Sequence, residues 1–253
     1  MFTESKILVA GAAGLLGSKI VAAIINAGGY VIATDIDLEL MRRKLQEIGL
    51  KINSSALVTF ELDLTVESDS QKLFADNRGI TGAVNATYPR NKTYGADFFD
   101  VTLASFNENL ALHLGSAFSF SQQCAAYFKR HQSEFSLVNI SSIYGVVAPK
   151  FSLYENTTMT MPVEYAAIKS AIIHLNKYVA AVVNDSKFRV NSVCPGGILD
   201  KQPVNFLEKY KEHTFGKGML DVDDIIGTIL FLLSSQSKFL NGQNIVVDDG
   251  FSL

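Results

Sequence analysis

Apolar residues along this chain follow two rhythms. Short runs rich in β-branched residues ("KILVAG", "YVIATD", "ALVTFEL", "GAVNA", "FSLVNIS", "KFRVNSV" and "QNIVVDD") end in a glycine, an acid or a polar turn, as buried strands do. Between them "LLGSKIVAAIINAG" and segments near 37–49, 67–77, 101–130, 162–184 and 221–234 carry apolar residues at helical spacing. Strands alternating with helices predict a parallel, doubly wound seven-stranded sheet with right-handed crossovers and helices on both faces. No linker, repeat or shift in composition divides the chain, so a single α/β domain over 1–253 is expected.

The stretch from Ile7 to Ala33 is almost continuously apolar and could pass for a signal or membrane segment. Lys19, Asn26 and several glycines break it into strand, helix and strand, and "IIGTILFLLSS" is too short to span a bilayer, so no membrane partner is expected. Apolar residues make up 48% of the 253, enough for a large core. The balance of 22 Lys plus Arg against 25 Asp plus Glu leaves a net charge of −3, and the basic residues are dispersed, so no nucleic-acid partner is expected. Cys124 and Cys194 lie far apart without metal-ligand spacing, which suits free thiols of a reducing, cytoplasmic setting and no metal site.

Two places carry chemistry. The first predicted turn, "AGAAGLLGSK", holds Gly11, Gly14 and Gly17, follows a strand and opens a helix whose N-terminus can face a pyrophosphate. At the end of the second strand Asp35 can accept from both hydroxyls of an adenosine ribose; the alternative is that it merely starts a turn. The second place is "PVEYAAIKSAIIHL". Tyr165 and Lys169 lie four apart on one face of an otherwise apolar helix, so that face is either solvated or a site. A phenol is a poor base at neutral pH unless a nearby cation stabilises its anion, and Lys169 stands one turn away.

Gly11, Gly14 and Gly17, Asp63 in "ELDLT", Asn85 in "VNAT", Ser142 in "NISSIYG", Tyr165 and Lys169 in "YAAIK", Pro195 and Gly196 in "CPGGI" and the late "VVDDG" stand in the order of the short-chain dehydrogenases/reductases. The resemblance covers essentially the whole chain. More narrowly, "TYPRNKTYGADFFDV", "ISSIYGVVAPKF", "YENTTMTMPVEYAAIKSA" and "PGGILDKQPVNFLEKY" resemble the flagellin-modification protein A group, oxidoreductases of bacterial nonulosonic sugar pathways. The resemblance implies a Rossmann-like fold, NAD as cofactor with NADP less favoured, and assembly as a homodimer or homotetramer. It implies Ser142, Tyr165 and Lys169 as catalytic residues. It places Ala13, Leu15 and Leu16 of the glycine loop, Asp63, Leu64, Asn85, Ala86, Pro195, Gly196 and Ile198 along the cofactor, although Asn85 and the Pro195–Gly196 turn could be structural.

Four departures accompany it. The glycine spacing GxxGxxG belongs to a longer, epimerase-like branch; Thr87 stands where a glycine is usual; Asp200 stands where a threonine is usual; and "LHLGSAF" puts His113 at the position of a catalytic asparagine, with Asn109 one turn earlier as a substitute. The interval between Ser142 and Tyr165 is long, and its extra segment "APKFSLYENTTMTM" sits where a substrate loop belongs. The expected substrate is a small polar molecule, a phosphorylated or nucleotide-linked sugar. Arg90 is its expected anchor, with Lys92, Lys150, Tyr144, Tyr154, Glu155 and Asn156 as further contacts; Arg90 and Lys92 could equally be solvated loop residues. The alternatives are a cofactor-sensing scaffold without turnover, or a sugar epimerase or dehydratase, whose long C-terminal substrate domain is missing.

Asp35 generates a cofactor prediction. Its carboxylate would repel a 2′-phosphate, so NADH should bind more tightly than NADPH by at least about 1–3 kcal/mol. Parallel titrations of the two reduced cofactors check this, and equal affinity would remove Asp35 from the role.

Overall fold

The computed structural model describes residues 2–52 and 54–253. Among these, the strands are β1 (Lys6–Ala10), β2 (Tyr30–Asp35), β3 (Leu57–Glu61), β4 (Ile80–Asn85), β5 (Phe135–Ile140), β6 (Phe188–Pro195) and β7 (Asn244–Val247). They form one sheet in the order β3-β2-β1-β4-β5-β6-β7, with every pairing parallel. The helices are α1 (Leu15–Asn26), α2 (Leu38–Glu47), α3 (Glu67–Asp76), α4 (Leu103–Asn109), α5 (Gly115–His131), α6 (Val163–Val183), α7 (Val204–Lys211) and α8 (Asp223–Leu233).

The two helical layers follow from which residues each helix buries. On one face Ile20, Val21 and Ile24 of α1, Met41 and Leu45 of α2, and Ile225 and Ile229 of α8 cluster with Ile7, Val9 and Val31 of the sheet. On the other, Phe74 of α3, Phe120 and Tyr127 of α5 and Val179 of α6 cluster with Leu8, Ala83 and Leu137. Alternate residues of a strand face opposite sides, so β1 supplies both cores in turn. The apolar stretch from Ile7 to Ala33 is β1, α1 and β2, as its breaks predict.

From β1 the chain runs outward through β2 to β3, then crosses back to place β4 on the other side of β1. That reversal opens a crevice at the carboxyl ends of the strands, the place where ligands bind in open α/β sheets.

Two elements differ from the pattern-based expectation. The single helix expected over 101–130 is α4 and α5 joined by a π-helical turn at Leu110–Leu114, an irregularity that hydropathy does not register. The short α7 escapes periodicity because it buries only Phe206 and Tyr210. Both belong to a third cluster, with Ile143, Leu153, Met219 and Phe251, that seats the segment between β5 and α6 beside the sheet. In the C-terminal "DDGFSL", Phe251 is fully buried within the chain and stacks on Tyr210 at 4.4 Å. Among the described residues α6 alone is long and apolar enough, by length and composition, to cross a bilayer. It lies against β6 and buries Glu164, Lys169 and Asn176.

Candidate active site

Two cavities occupy the crevice. One, of about 590 Å³, lies at the ends of β1, β2 and β4 and is lined by Gly11, Ala13, Gly14, Asp35, Asp63 and Leu64 among others. The other, of about 470 Å³, lies at the ends of β5 and β6 and is lined by Leu15, Leu16, Ser142, Tyr165, Lys169, Pro195, Gly196 and Ile198. Ala86, Thr87 and Tyr88 line both, so the two form one trough across the point where the strand order reverses.

The first cavity suits a dinucleotide. Helix α1 begins with no side-chain cap and no acid in its first turn, whereas Asp37 caps α2 and Thr102 caps α4. Its free N–H groups and the positive end of its dipole are therefore available to an anion. Asp35 is drawn onto the glycine loop, its Oδ2 accepting the Ala13 N–H at 2.8 Å. Asp63 accepts from the Thr65 N–H and hydroxyl through Oδ1. Asn85 accepts from the Thr87 N–H at 3.2 Å and hydroxyl at 2.7 Å, so the threonine found in place of glycine locks the end of β4. Gly17 lines neither cavity; a Cβ there would stand 2.0 Å from the Gly11 carbonyl oxygen, so glycine lets the helix pack on the loop.

In the second cavity a close backbone approach does the positioning. A Cβ on Gly145 would lie 2.7 Å from the Lys169 carbonyl carbon, so only glycine lets the turn after β5 rest on α6. The Ser141 hydroxyl donates to the Lys169 carbonyl at 2.8 Å, and Ser142 caps the next turn by accepting from the Tyr144 N–H. Ser142 thereby faces the Tyr165 phenol. Burial raises that phenol's pKa above its ordinary value, against the lowering effect of its hydrogen bond with Ser142.

Lys169 is 3% exposed; its Nζ donates to the Ile140 carbonyl at 2.8 Å and lies 3.4 Å from His113 Nε2. Burial without an anionic partner draws its pKa down from 10.5 to about 7. The lysine shares a face with Tyr165, as the spacing requires, but its head group lies 5.5 Å from that ring's centroid and is held by a carbonyl. His113, buried beside Lys169, has its pKa lowered from 6.5 to about 2, first by burial and then by the lysine's charge. Asn109 does not take the tetrad position. It donates to Glu164 Oε1 at 3.3 Å and exchanges hydrogen bonds with Asn91.

The expected substrate residues divide. Tyr144 and Tyr154 line the second cavity, their hydroxyls 3.2 Å apart. Arg90 lies on the wall of the first cavity, on the loop that follows β4. Lys92 lines neither cavity. Lys150 also points away, donating to the Phe251 carbonyl at 3.1 Å and lying over that ring. Glu155 and Asn156 lie outside both linings, their carbonyls accepting from Lys209 and Asn205.

Sequence reading did not single out Tyr88 of the lining, whereas Thr160 and Met161 lie in the segment expected as a substrate loop. Tyr88 stands edge-on to both Tyr165 and His113, with centroids 5.6 and 5.3 Å away. Its position directly after "VNAT", leading out of β4 at the crevice, was the available signal.

A doubly wound sheet with an uncapped glycine loop at its switch point and a Ser–Tyr–Lys cavity beside it defines a nicotinamide-dependent oxidoreductase. Comparison narrows the class. A family model described as enoyl-(acyl carrier protein) reductase matches residues 11–252. The post-translational flagellin modification protein A of Campylobacter coli is 40% identical over 99% of both chains. The chain belongs to the short-chain dehydrogenase/reductase family. A 7alpha-hydroxysteroid dehydrogenase of Bacteroides fragilis is 27% identical over 100% of this chain and 96% of its own. Among solved structures, a short chain dehydrogenase from Leptospira borgpetersenii with bound NAD+ superposes with a TM-score of 0.87 at 26% identity, covering 100% of this chain and 94% of that one.

Lys169 generates a pH prediction. An unfolded chain, with the lysine at its ordinary 10.5, binds more protons than the folded one across the window from about 7 to 10.5. The lysine's penalty is therefore complete below that window and fades as pH rises through it. Lys169→Met should melt above the unaltered protein at about pH 6, and the margin should shrink toward alkaline pH in scanning calorimetry. A margin independent of pH would contradict the burial of a titrating ammonium.

Proposed function

We propose that this oxidoreductase uses NAD to oxidise a hydroxyl, or reduce a carbonyl, on a sugar derivative in the cytoplasmic synthesis of a bacterial surface glycan such as that of flagellin. The observation that carries the reading is the convergence of Ser142, Tyr165 and Lys169 on one cavity that opens into the Asp35 cavity at Ala86–Tyr88. A sensor or scaffold has no need of all three. The 40% identity to flagellin modification protein A supports the glycan setting.

Bound nicotinamide supplies hydride exchange with the substrate carbon. The chain's own residues handle the oxygen. The Ser142 hydroxyl holds it, and Tyr165 moves the proton to or from it. Lys169 lies beneath the phenol with a pKa low enough to exchange protons near neutrality, backed by His113. Asp35 occupies the glycine loop, which supports NAD over NADP.

The walls of the second cavity suit a sugar ring better than a phosphate. Tyr144, Tyr154, Phe206, Met159 and Met161 give it flat apolar faces, and Thr160, Gln202 and Asp200 give it polar groups, while Lys169 is its only cation. A phosphoryl or nucleotide group on the substrate therefore lies outside this lining. Assembly as a dimer or tetramer is part of the reading, supported by exposed Phe99, Leu103 and Phe118 on and before α4 and α5.

Tyr165→Phe should keep NADH binding while turnover falls roughly a hundredfold or more. The assay is a cofactor-coupled screen of neutral, phosphorylated and nucleotide-linked hexoses. Normal turnover by the variant would remove Tyr165 from the chemistry, and a preference for a lipid-like alcohol over every hexose would end the sugar reading. Sedimentation at micromolar concentration should show no monomer; a monomer would contradict the paired faces.

A further inference from the structure

We propose that Arg90 is a cofactor-binding residue whose guanidinium pairs with the diphosphate of the bound nicotinamide dinucleotide, an inference that rests on that cofactor occupying the Asp35 cavity. Arg90 lines the same cavity as Gly11, Ala13 and Gly14. Asp35 and Asp63 are carboxylates of that lining, and Arg90 is its only cation. A diphosphate would bring two further negative charges into it. The uncapped start of α1 offers only about half a charge against them, so a fixed cation is needed for balance.

Arg90 is free to supply it. Among the described residues it joins none of the ion pairs, which all lie around Asp221, Asp223 and Asp224. Arg90 itself is exposed at the cavity wall, and its neighbours on both sides are anchored. Tyr88, whose hydroxyl donates to that of Tyr94 at 2.7 Å, carries the guanidinium 4.9 Å from its ring centroid. Asn91 donates its N–H to the buried Asn109 at 3.0 Å and its amide to Glu108 at 2.7 Å. Pro89 restricts the backbone between them. A guanidinium over an aromatic ring retains N–H donors, and its planar fork can meet two phosphate oxygens at once.

The test uses NADH, read by its fluorescence, together with ADP-ribose and adenosine, read by calorimetry. ADP-ribose keeps the diphosphate without the nicotinamide, and adenosine lacks both. Arg90→Ala should weaken NADH and ADP-ribose by about tenfold or more, leave adenosine unchanged and flatten the dependence of NADH affinity on salt. Arg90→Lys should recover part of the loss. Unchanged ADP-ribose affinity would overturn the proposal and return Arg90 to the substrate or to solvent. An equal loss for adenosine would show that the ring stack alone matters, and a loss confined to NADPH would point to a 2′-phosphate; either result overturns it. If the unaltered protein binds neither NADH nor ADP-ribose, the cofactor reading falls first and takes the Arg90 pairing with it. Melting temperatures of the variants separate binding from folding.

Discussion

The close docking of helix α6 onto the end of β5 is the contact on which the rest of the site depends. A ladder of buried amides holds it: Asn139 of β5 donates to Asn176 of α6 at 2.7 Å, and Asn176 donates to Ser192 of β6 at 2.6 Å. Three elements that share little local sequence are thereby fixed in register, and these two bonds offset part of the desolvation of the buried amides, while the Asn139 side-chain carbonyl oxygen is left without a partner. Further along, Gly145 and Ser141 press the turn after β5 against the Lys169 backbone. Ser142 reaches Tyr165 because this packing leaves no other place for it.

The same docking imposes a cost that only function explains. Lys169 is buried with a carbonyl and a neutral imidazole as its partners, and Glu164 one turn earlier is fully buried with Asn109. Burying ionisable groups without opposite charges destabilises a fold, and such groups collect where chemistry needs shifted pKa values. The π-helical turn between α4 and α5 belongs to this arrangement, since it brings His113 against Lys169 while leaving Asn109 to brace Asn91 and Glu164. A regular helix through the same residues would rotate one of the two away from its partner.

Charge divides the trough. The half around Asp35 has two carboxylates, the Arg90 guanidinium and an uncapped helix start; the other half is mostly aromatic and thioether surface around Ser142, Tyr165 and Lys169. Tyr88 belongs to both halves, with its ring against Tyr165 and His113 and with Arg90 above it. A change at this one position would reach both cavities together.

By itself the sequence determined the strand and helix order, the parallel sheet, the glycine turn with Asp35 beyond it, and the Ser142, Tyr165 and Lys169 set. These are properties of local periodicity and of residues whose chemistry stands out against an apolar background, such as a phenol and an amine four apart on a core helix. Only the tertiary structure decided where the loops go. Arg90, Lys92 and Lys150 looked alike as cations near the site, yet one lines the Asp35 cavity, one lines neither cavity and one is tied to the C-terminus. Helix α7, buried by two aromatic residues against Phe251 and Leu153, and Tyr88, positioned by Tyr94, rest on contacts between segments far apart or on the path of a loop. Periodicity reports which face of an element is buried; the direction of a loop side chain is set by partners that the local sequence does not contain.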